Sequence, residues 1–173
     1  MARRLSHVDR KGRVRMVNVG AKRVTARSAV ARARVFMHRD TLALLAADRA
    51  PKGNVLATAH VAGVLAAKRT GDIIPLAHTL PLEGVDMAFD FDSGGASLGI
   101  EARVTSRGRT GVEMEALTAV TVAALTLYDM LKAVDRDIVI GEIALWEKRG
   151  GRTGTYRRPP PPRRPRRAPR GAS

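Results

Sequence analysis

Apolar and polar residues alternate in five stretches of the chain and recur at helical spacing in three others. Residues 13–19 (RVRMVNV) alternate well enough for a short strand. A polar segment with Lys22 and Arg27 follows and reads as a solvated loop. In residues 29–37, Ala31, Ala33, Val35 and Met37 face one way, and Val30, Arg32, Arg34 and Phe36 the other. That is a strand with one polar face. Val85, Met87, Phe89 and Phe91 alternate with Asp86, Ala88 and Asp90. After a Ser-Gly-Gly turn, Leu98, Ile100, Ala102 and Val104 alternate again. Two such runs around a tight turn make a hairpin. Residues 138–148 form a last strand, with a bulge expected at Gly141.

The helical signals are as local. Asp40 is placed to cap a short helix over 41–47, and Asn54 to cap a second over 55–69. The second helix carries Gly63 among alanines, which permits close approach of another backbone. Lys68 and Arg69 fall in its last turn, where cations complement the helix dipole. Residues 70–82 hold Pro75 and Pro81 and should be extended and non-helical. The longest signal lies in 106–136. Leu117, Val120, Ala124, Leu127, Leu131 and Val134 recur at steps of three and four. Thr118, Val122, Leu125, Asp129, Lys132 and Arg136 make a second face, apolar at first and charged at its end. A helix greasy nearly all round is expected to be buried.

Leaving the first strand aside, the order is β–α(α)–β–β–α–β. This predicts an α+β fold of the ferredoxin-like split type, an antiparallel sheet with helices packed on one face. The open face of such a sheet needs a cover, which argues for assembly.

Composition sharpens this picture. The 173 residues suit one domain, and alanine and valine replace aromatics in the interior. Cores built that way gain burial by oligomerising. The net charge of +15 suggests a nucleic-acid binder until it is apportioned. Residues 1–16 carry six basic groups and one acid, and residues 157–173 carry seven arginines and none. The stretch between has 18 basic and 15 acidic side chains. The basicity therefore sits in the ends: a basic segment over 1–13 and an Arg/Pro-rich tail over 157–173, flanking one domain over 14–156. The tail is expected to be disordered and to touch nucleic acid only non-specifically. There is no cysteine, hence no disulfide or thiolate metal site. No run of 18 apolar residues suggests a membrane span, and the basic N-terminus lacks an apolar core for a secretory signal. A cytoplasmic protein is the expectation.

Candidate chemistry clusters at the predicted ends of elements: Lys52, His78, Glu113, Glu115, Asp129, Lys132 and Lys148. Asp129 and Lys132 alone are an ordinary surface i,i+3 pair, worth a few tenths of a kcal/mol. Acids in a first helical turn are favourable for dipole reasons. His78 has no second histidine at helical spacing and no HExxH pattern, so metal ligation is not expected. GRTG occurs twice, at 108–111 and 151–154. Each is either a plain turn or a source of backbone N–H groups and a guanidinium for phosphate. Neither fits the P-loop pattern.

Three segments, KRTGDIIPLAH, GRTGVEMEALTAVTVAALTLYDMLKAVDR and EKRGGRTGTY, closely resemble the cyclic pyranopterin monophosphate synthases, the molybdenum cofactor biosynthesis protein C family. The likeness runs from about residue 16 to 157. It implies a ferredoxin-like subunit in a homohexamer, a trimer of dimers, with active sites at subunit interfaces. It implies a small-molecule substrate, 3′,8-cyclo-7,8-dihydro-GTP, rearranged to cyclic pyranopterin monophosphate with release of diphosphate. No metal or organic cofactor is expected. The residues carried over as catalytic are Asp129, Lys132 and Lys52. Those carried over as substrate-binding are Leu76, Ala77, His78, Glu113, Met114, Glu115, Lys148 and Arg27. Asp129 and Lys132 are expected to be an acid/base pair tuned by burial and mutual contact. The family usually has aspartate where Asn18 and Asn54 stand, serine at Gly20, cysteine at Ala77 and proline at Thr79. Two rival readings are a non-catalytic paralogue, suggested by Asn18 and Thr79, and a polyanion-binding protein using the tail. The near-neutral fold and the lack of an aromatic stacking platform speak against the second.

Overall fold

A computed structural model describes residues 12–13 and 16–159. Expectations for 1–11 and 160–173 lie outside the described residues. The elements are β1 (Thr25–Phe36), α1 (Arg39–Ala46), α2 (Val55–Lys68), α3 (Thr70–Ile73) and β2 (Gly84–Asp92). After these come β3 (Ser97–Gly108), α4 (Glu113–Leu131), β4 (Val139–Arg149) and β5 (Tyr156–Arg157). The strands form one five-stranded sheet in the order β2-β3-β1-β4-β5, antiparallel throughout. The fold is α+β.

The alternation read from the sequence decides which face is packed. Ala29, Ala31, Ala33 and Val35 of β1 and Leu98, Ile100, Ala102 and Val104 of β3 are buried under the helices. Val120, Ala124, Leu127 and Leu131 of α4 meet them and are fully buried. Each such leucine contributes roughly 1.5–3 kcal/mol of burial. By length and composition alone α4 could cross a membrane, but it serves here as the core helix, packed on β1, β3 and β4. The opposite sheet face carries charge. Arg32 pairs with Glu101 at 2.6 Å and lies 4.6 Å over the Trp146 ring, while Arg34 reaches Asp92 at 3.2 Å.

Several expectations change. Residues 16–19 form no strand; the carbonyl of Val17 instead accepts a hydrogen bond from His78 Nε2 at 2.9 Å. The polar segment expected to be all loop supplies the start of β1, because Thr25–Ser28 pair with residues 105–108 of β3. Asp40 is not the cap of α1. His38 takes that position without a side-chain bond. Asp135, from beyond α4, does the capping, accepting from the His38 N–H at 2.8 Å and the Thr41 hydroxyl at 3.0 Å. Asn54 does cap α2, accepting from the Ala57 N–H at 2.8 Å. Residues 70–73 are a helical turn, not extended, and the chain straightens only at Ile74, before Pro75. On α4 the second face is buried only at its start: Thr118 is buried, Val122 is half-buried and Leu125 is 54% exposed. Val134 and Arg136 lie past the helix end. The β4 bulge falls just beyond Gly141, where Glu142 has φ 51, and the register shifts again near Trp146. The pairing of β5 with β4, with an Arg158 N–H to Trp146 carbonyl bond of 2.8 Å, carried no sequence signal.

Candidate active site

Both β3 and β4 run antiparallel to β1 and flank it, so both end beside its first residues. The segment before β1, the segment after α3 and the N-terminus of α4 reach the same place. They enclose a cleft of about 1020 Å³. Arg27, Leu76, Ala77 and His78 line it, as do Glu113, Met114, Glu115 and Lys148. All eight residues expected to bind substrate thus share one cavity, although they come from four separate parts of the chain.

Local structure explains how each is held. Arg27 leaves β1, and its Nε donates to the Gly108 carbonyl at 3.3 Å. A Cβ at Gly151 would overlap the Arg27 guanidinium, so glycine there makes room for it. Likewise a Cβ at Gly111 would overlap the Glu113 carboxylate, which folds back over the helix start. Lys148 Nζ donates to Thr153 Oγ1. The His78 bond to the Val17 carbonyl makes Nε2 the protonated nitrogen in the neutral ring. Asn18 Oδ1 accepts from the Gly20 N–H at 2.8 Å, so the amide still supplies an acceptor for this turn.

Lys22, Arg23, Arg109 and Arg152 join Arg27 and Lys148 in the lining, which makes the cleft strongly cationic. The acidic first turn of α4 lines it as well. Glu115 is 4% exposed. Burial pushes its carboxyl above the usual range, its own backbone N–H pulls it back in part, and the charge of Glu113 adds to the rise. Sequence reasoning left Arg109 and Arg152 open, in GRTG copies that are either plain turns or phosphate-facing guanidinium groups, and both line the cleft. Nothing in the sequence pointed to Val17, Val19 or Thr25, which line the cleft only because of how the chain enters β1.

The three residues expected to be catalytic lie elsewhere. Lys132 Nζ is 2.7 Å from Asp129 Oδ1. Lys52 Nζ donates to the Asp129 carbonyl at 2.8 Å and lies 3.4 Å from Oδ2. This triad stands at the C-terminal end of α4, the cleft at its N-terminal end. Glu113 and Asp129 are about 24 Å apart along the helix at its ordinary rise. Tuning by burial is absent in the single chain, since the Asp129 and Lys132 side chains are 60% and 50% exposed. Mutual contact remains. The Lys132 hydrogen bond and charge, with those of Lys52, hold the Asp129 carboxyl below its usual value. Asp129 in turn raises Lys132. Each partner is thus fixed in its charged form.

Among the described residues, one group offers metal-type ligands: His38, Asp135 and Asp137, with ligating atoms within 4.8 Å of one another. The Asp135 oxygens there already accept from two N–H groups and a hydroxyl.

The model of the MoaC family matches residues 16–151, which include the cleft residues from Val17 to Gly151 and the Asp129 triad. A cyclic pyranopterin monophosphate synthase of Chloroflexus aurantiacus is 56% identical over 155 residues, 90% of this chain and 95% of the relative. Proteins of the same name from Thermomicrobium roseum and Heliobacterium modesticaldum are 57% and 55% identical, over 93% and 96% of their own lengths. The chain belongs to the MoaC family.

Proposed function

We propose that this chain is a cyclic pyranopterin monophosphate synthase, a lyase of molybdenum cofactor biosynthesis. It converts 3′,8-cyclo-7,8-dihydro-GTP to cyclic pyranopterin monophosphate and diphosphate. One observation carries this reading: relatives of that name match more than half of the residues over nine-tenths of the chain. The cleft suits the substrate class. A nucleoside triphosphate derivative brings several negative charges and a polar ring, and the cleft is lined by several cations and by two carboxylates, Glu113 and Glu115.

In this reading Arg27 and Lys148 neutralise phosphate charge, and Lys52 adds to it as diphosphate leaves. His78, Glu113, Glu115 and the backbone of residues 76, 77 and 114 orient the purine-derived ring. Ring opening and reclosure move protons both ways, which Asp129 and Lys132 supply. An exposed, mutually fixed ion pair is poorly tuned for that work. Contact with substrate inside a closed site would separate the partners and move both pKa values toward the working pH.

The distance between cleft and triad supports a site shared between copies of the chain. The strand order β2-β3-β1-β4 with helices after β1 and β3 supports the ferredoxin-like assignment. The half-exposed apolar positions Val61, Leu65 and Leu125 on the helices support assembly. We assign a cytoplasmic homohexamer, a trimer of dimers, with no resident metal or organic cofactor.

The test is turnover of the cyclised dihydro-GTP by the purified protein and by Asp129→Asn. The parent should release diphosphate and form the pyranopterin. The variant should assemble alike and lose at least about a hundredfold in kcat. Full turnover by an assembled Asp129→Asn would remove Asp129 from the acid/base role.

A further inference from the structure

The side chain of Asp135 is 1% exposed, and each of its oxygens has two lone pairs to place. Oδ2 accepts from the His38 N–H at 2.8 Å and the Thr41 hydroxyl at 3.0 Å, which fills it. Oδ1 accepts from the Asp137 N–H at 3.0 Å and from no other donor among the described residues. One lone pair of a buried carboxylate is therefore left over. Its oxygen faces the His38 ring, whose Nε2 lies 3.8 Å away, too far for a hydrogen bond. The same Nε2 lies 3.4 Å from Asp137 Oδ2. One nitrogen and two oxygens thus converge, all within 4.8 Å of one another.

This spacing is wide for hydrogen bonds and right for a shared ion. Two ligands on a tetrahedral zinc at about 2.1 Å stand about 3.4 Å apart. His38 Nε2 and Asp137 Oδ2 already have that separation, and Nε2 and Asp135 Oδ1 exceed it by a few tenths of an ångström. Charge points the same way. Asp135 and Asp137 stand two residues apart in a chain of net charge +15, yet among the described residues no lysine or arginine pairs with either. Arg39, beside His38, turns its guanidinium to the Ser93 and Gly94 carbonyls. An imidazole with two carboxylates is a borderline donor set that suits zinc and its transition-metal neighbours. It has too few oxygens for calcium, and a nitrogen where magnesium takes oxygen. The three bonds to Asp135 fix its carboxylate plane in advance. His38 and Asp137 are exposed, so water completes the coordination.

We infer that His38, Asp135 and Asp137 form an exchangeable zinc-type site that bolts the start of α1 to the segment leaving α4. None of the three lines the cleft or bonds to Lys52, Asp129 or Lys132. The ion is structural, not a cofactor of turnover, and its binding does not depend on the proposed function. Because it binds only the folded joint, it stabilises the fold.

The experiment uses the full-length protein, untagged and stripped of metal with a chelator, and zinc chloride as the probe. Calorimetric titration compares the parent with His38→Gln, Asp137→Asn and, as a control histidine on α2, His60→Gln. Asp135 is left intact because its loss would loosen the fold. Both ligand variants keep the backbone N–H groups that Asp135 uses, so without zinc they should melt with the parent. The parent and His60→Gln should bind zinc alike, and each ligand variant should lose at least about tenfold in affinity. With free zinc about a hundredfold above the parent's Kd, the parent's melting temperature should rise by about 5–10 °C. That of His38→Gln should barely move, and magnesium chloride at the same concentration should shift neither. Zinc affinity unchanged in either ligand variant, no binding by the parent, or an equal effect of magnesium would overturn the site.

Discussion

Asp135 shows how much of the fold one side chain can hold. It lies just past α4, and its side chain is 1% exposed. One oxygen accepts from the His38 N–H and the Thr41 hydroxyl, the other from the Asp137 N–H at 3.0 Å. It therefore ties the end of α4 to the start of α1. Burial pushes its carboxyl up, but those three bonds and the nearby His38 outweigh burial and leave it below its usual value. Asp135→Ala strands three buried or half-buried donors and should cost about 2–4 kcal/mol, measurable by urea unfolding at neutral pH. A depressed folded-state pKa means that the ionised carboxyl contributes fully above its unfolded value near pH 4. That contribution is lost as pH falls through the folded value. The stability gap between parent and variant should therefore narrow below about pH 4; a gap constant with pH would show that the charge plays no part. Sequence reasoning chose Asp40 for this task. The choice was sound for local capping and failed because the cap arrives from a residue 94 positions away from Thr41.

At the scale of elements, what could be read in advance was what depends on near neighbours. The hairpin, the Asn54 cap and the buried stripe of α4 follow from periods of two and 3.6 and from turn chemistry. The first expected strand failed because its alternation serves the cleft, where Val17 and Val19 lean, and not a sheet. β5 is two residues long and carries no pattern to find. Gly63 is the element-scale feature that the sequence did reveal. It lets α2 lie close on α4 and β2: a Cβ there would stand 3.1 Å from the Ala119 carbonyl and 2.8 Å from Met87 Cε. Met87 can move aside, but the Ala119 backbone cannot without shifting α4. Gly63→Val adds a branched side chain at that contact and should lower stability by about 1–3 kcal/mol through overpacking. Because α4 carries both the acidic cleft turn and the Asp129 triad, the same variant should lose turnover more steeply than its melting temperature alone explains. Unaltered stability would mean that α2 and α4 have slack that the close contact denies.

For the molecule as a whole, the proposed function puts half of one site at each end of α4. The sequence placed Glu113, Glu115, Asp129 and Lys132 along one helical stretch, which made convergence in one chain look natural. Helix geometry forbids it: side chains 16 residues apart stand about 24 Å apart. A site using both ends needs two copies arranged so that the cleft of one meets the triad of the other. Closed two-fold symmetry does this, with each pair of chains forming two equivalent sites. The consequence is a complementation that a site within one chain cannot show. Glu113→Gln disables the cleft end and Asp129→Asn the triad end, and each alone should be nearly inactive. Mixed by unfolding and refolding together in equal amounts, half of the pairs carry one variant of each kind. Such a pair has one doubly altered site and one site built wholly from unaltered residues. The mixture should recover about a quarter of the parent's turnover. Activity no higher than the mean of the two separate variants, with mixed assemblies confirmed by native mass spectrometry, would place the site within a single chain. Asp129 and Lys132 would then be left as the surface pair that their exposure in one chain describes.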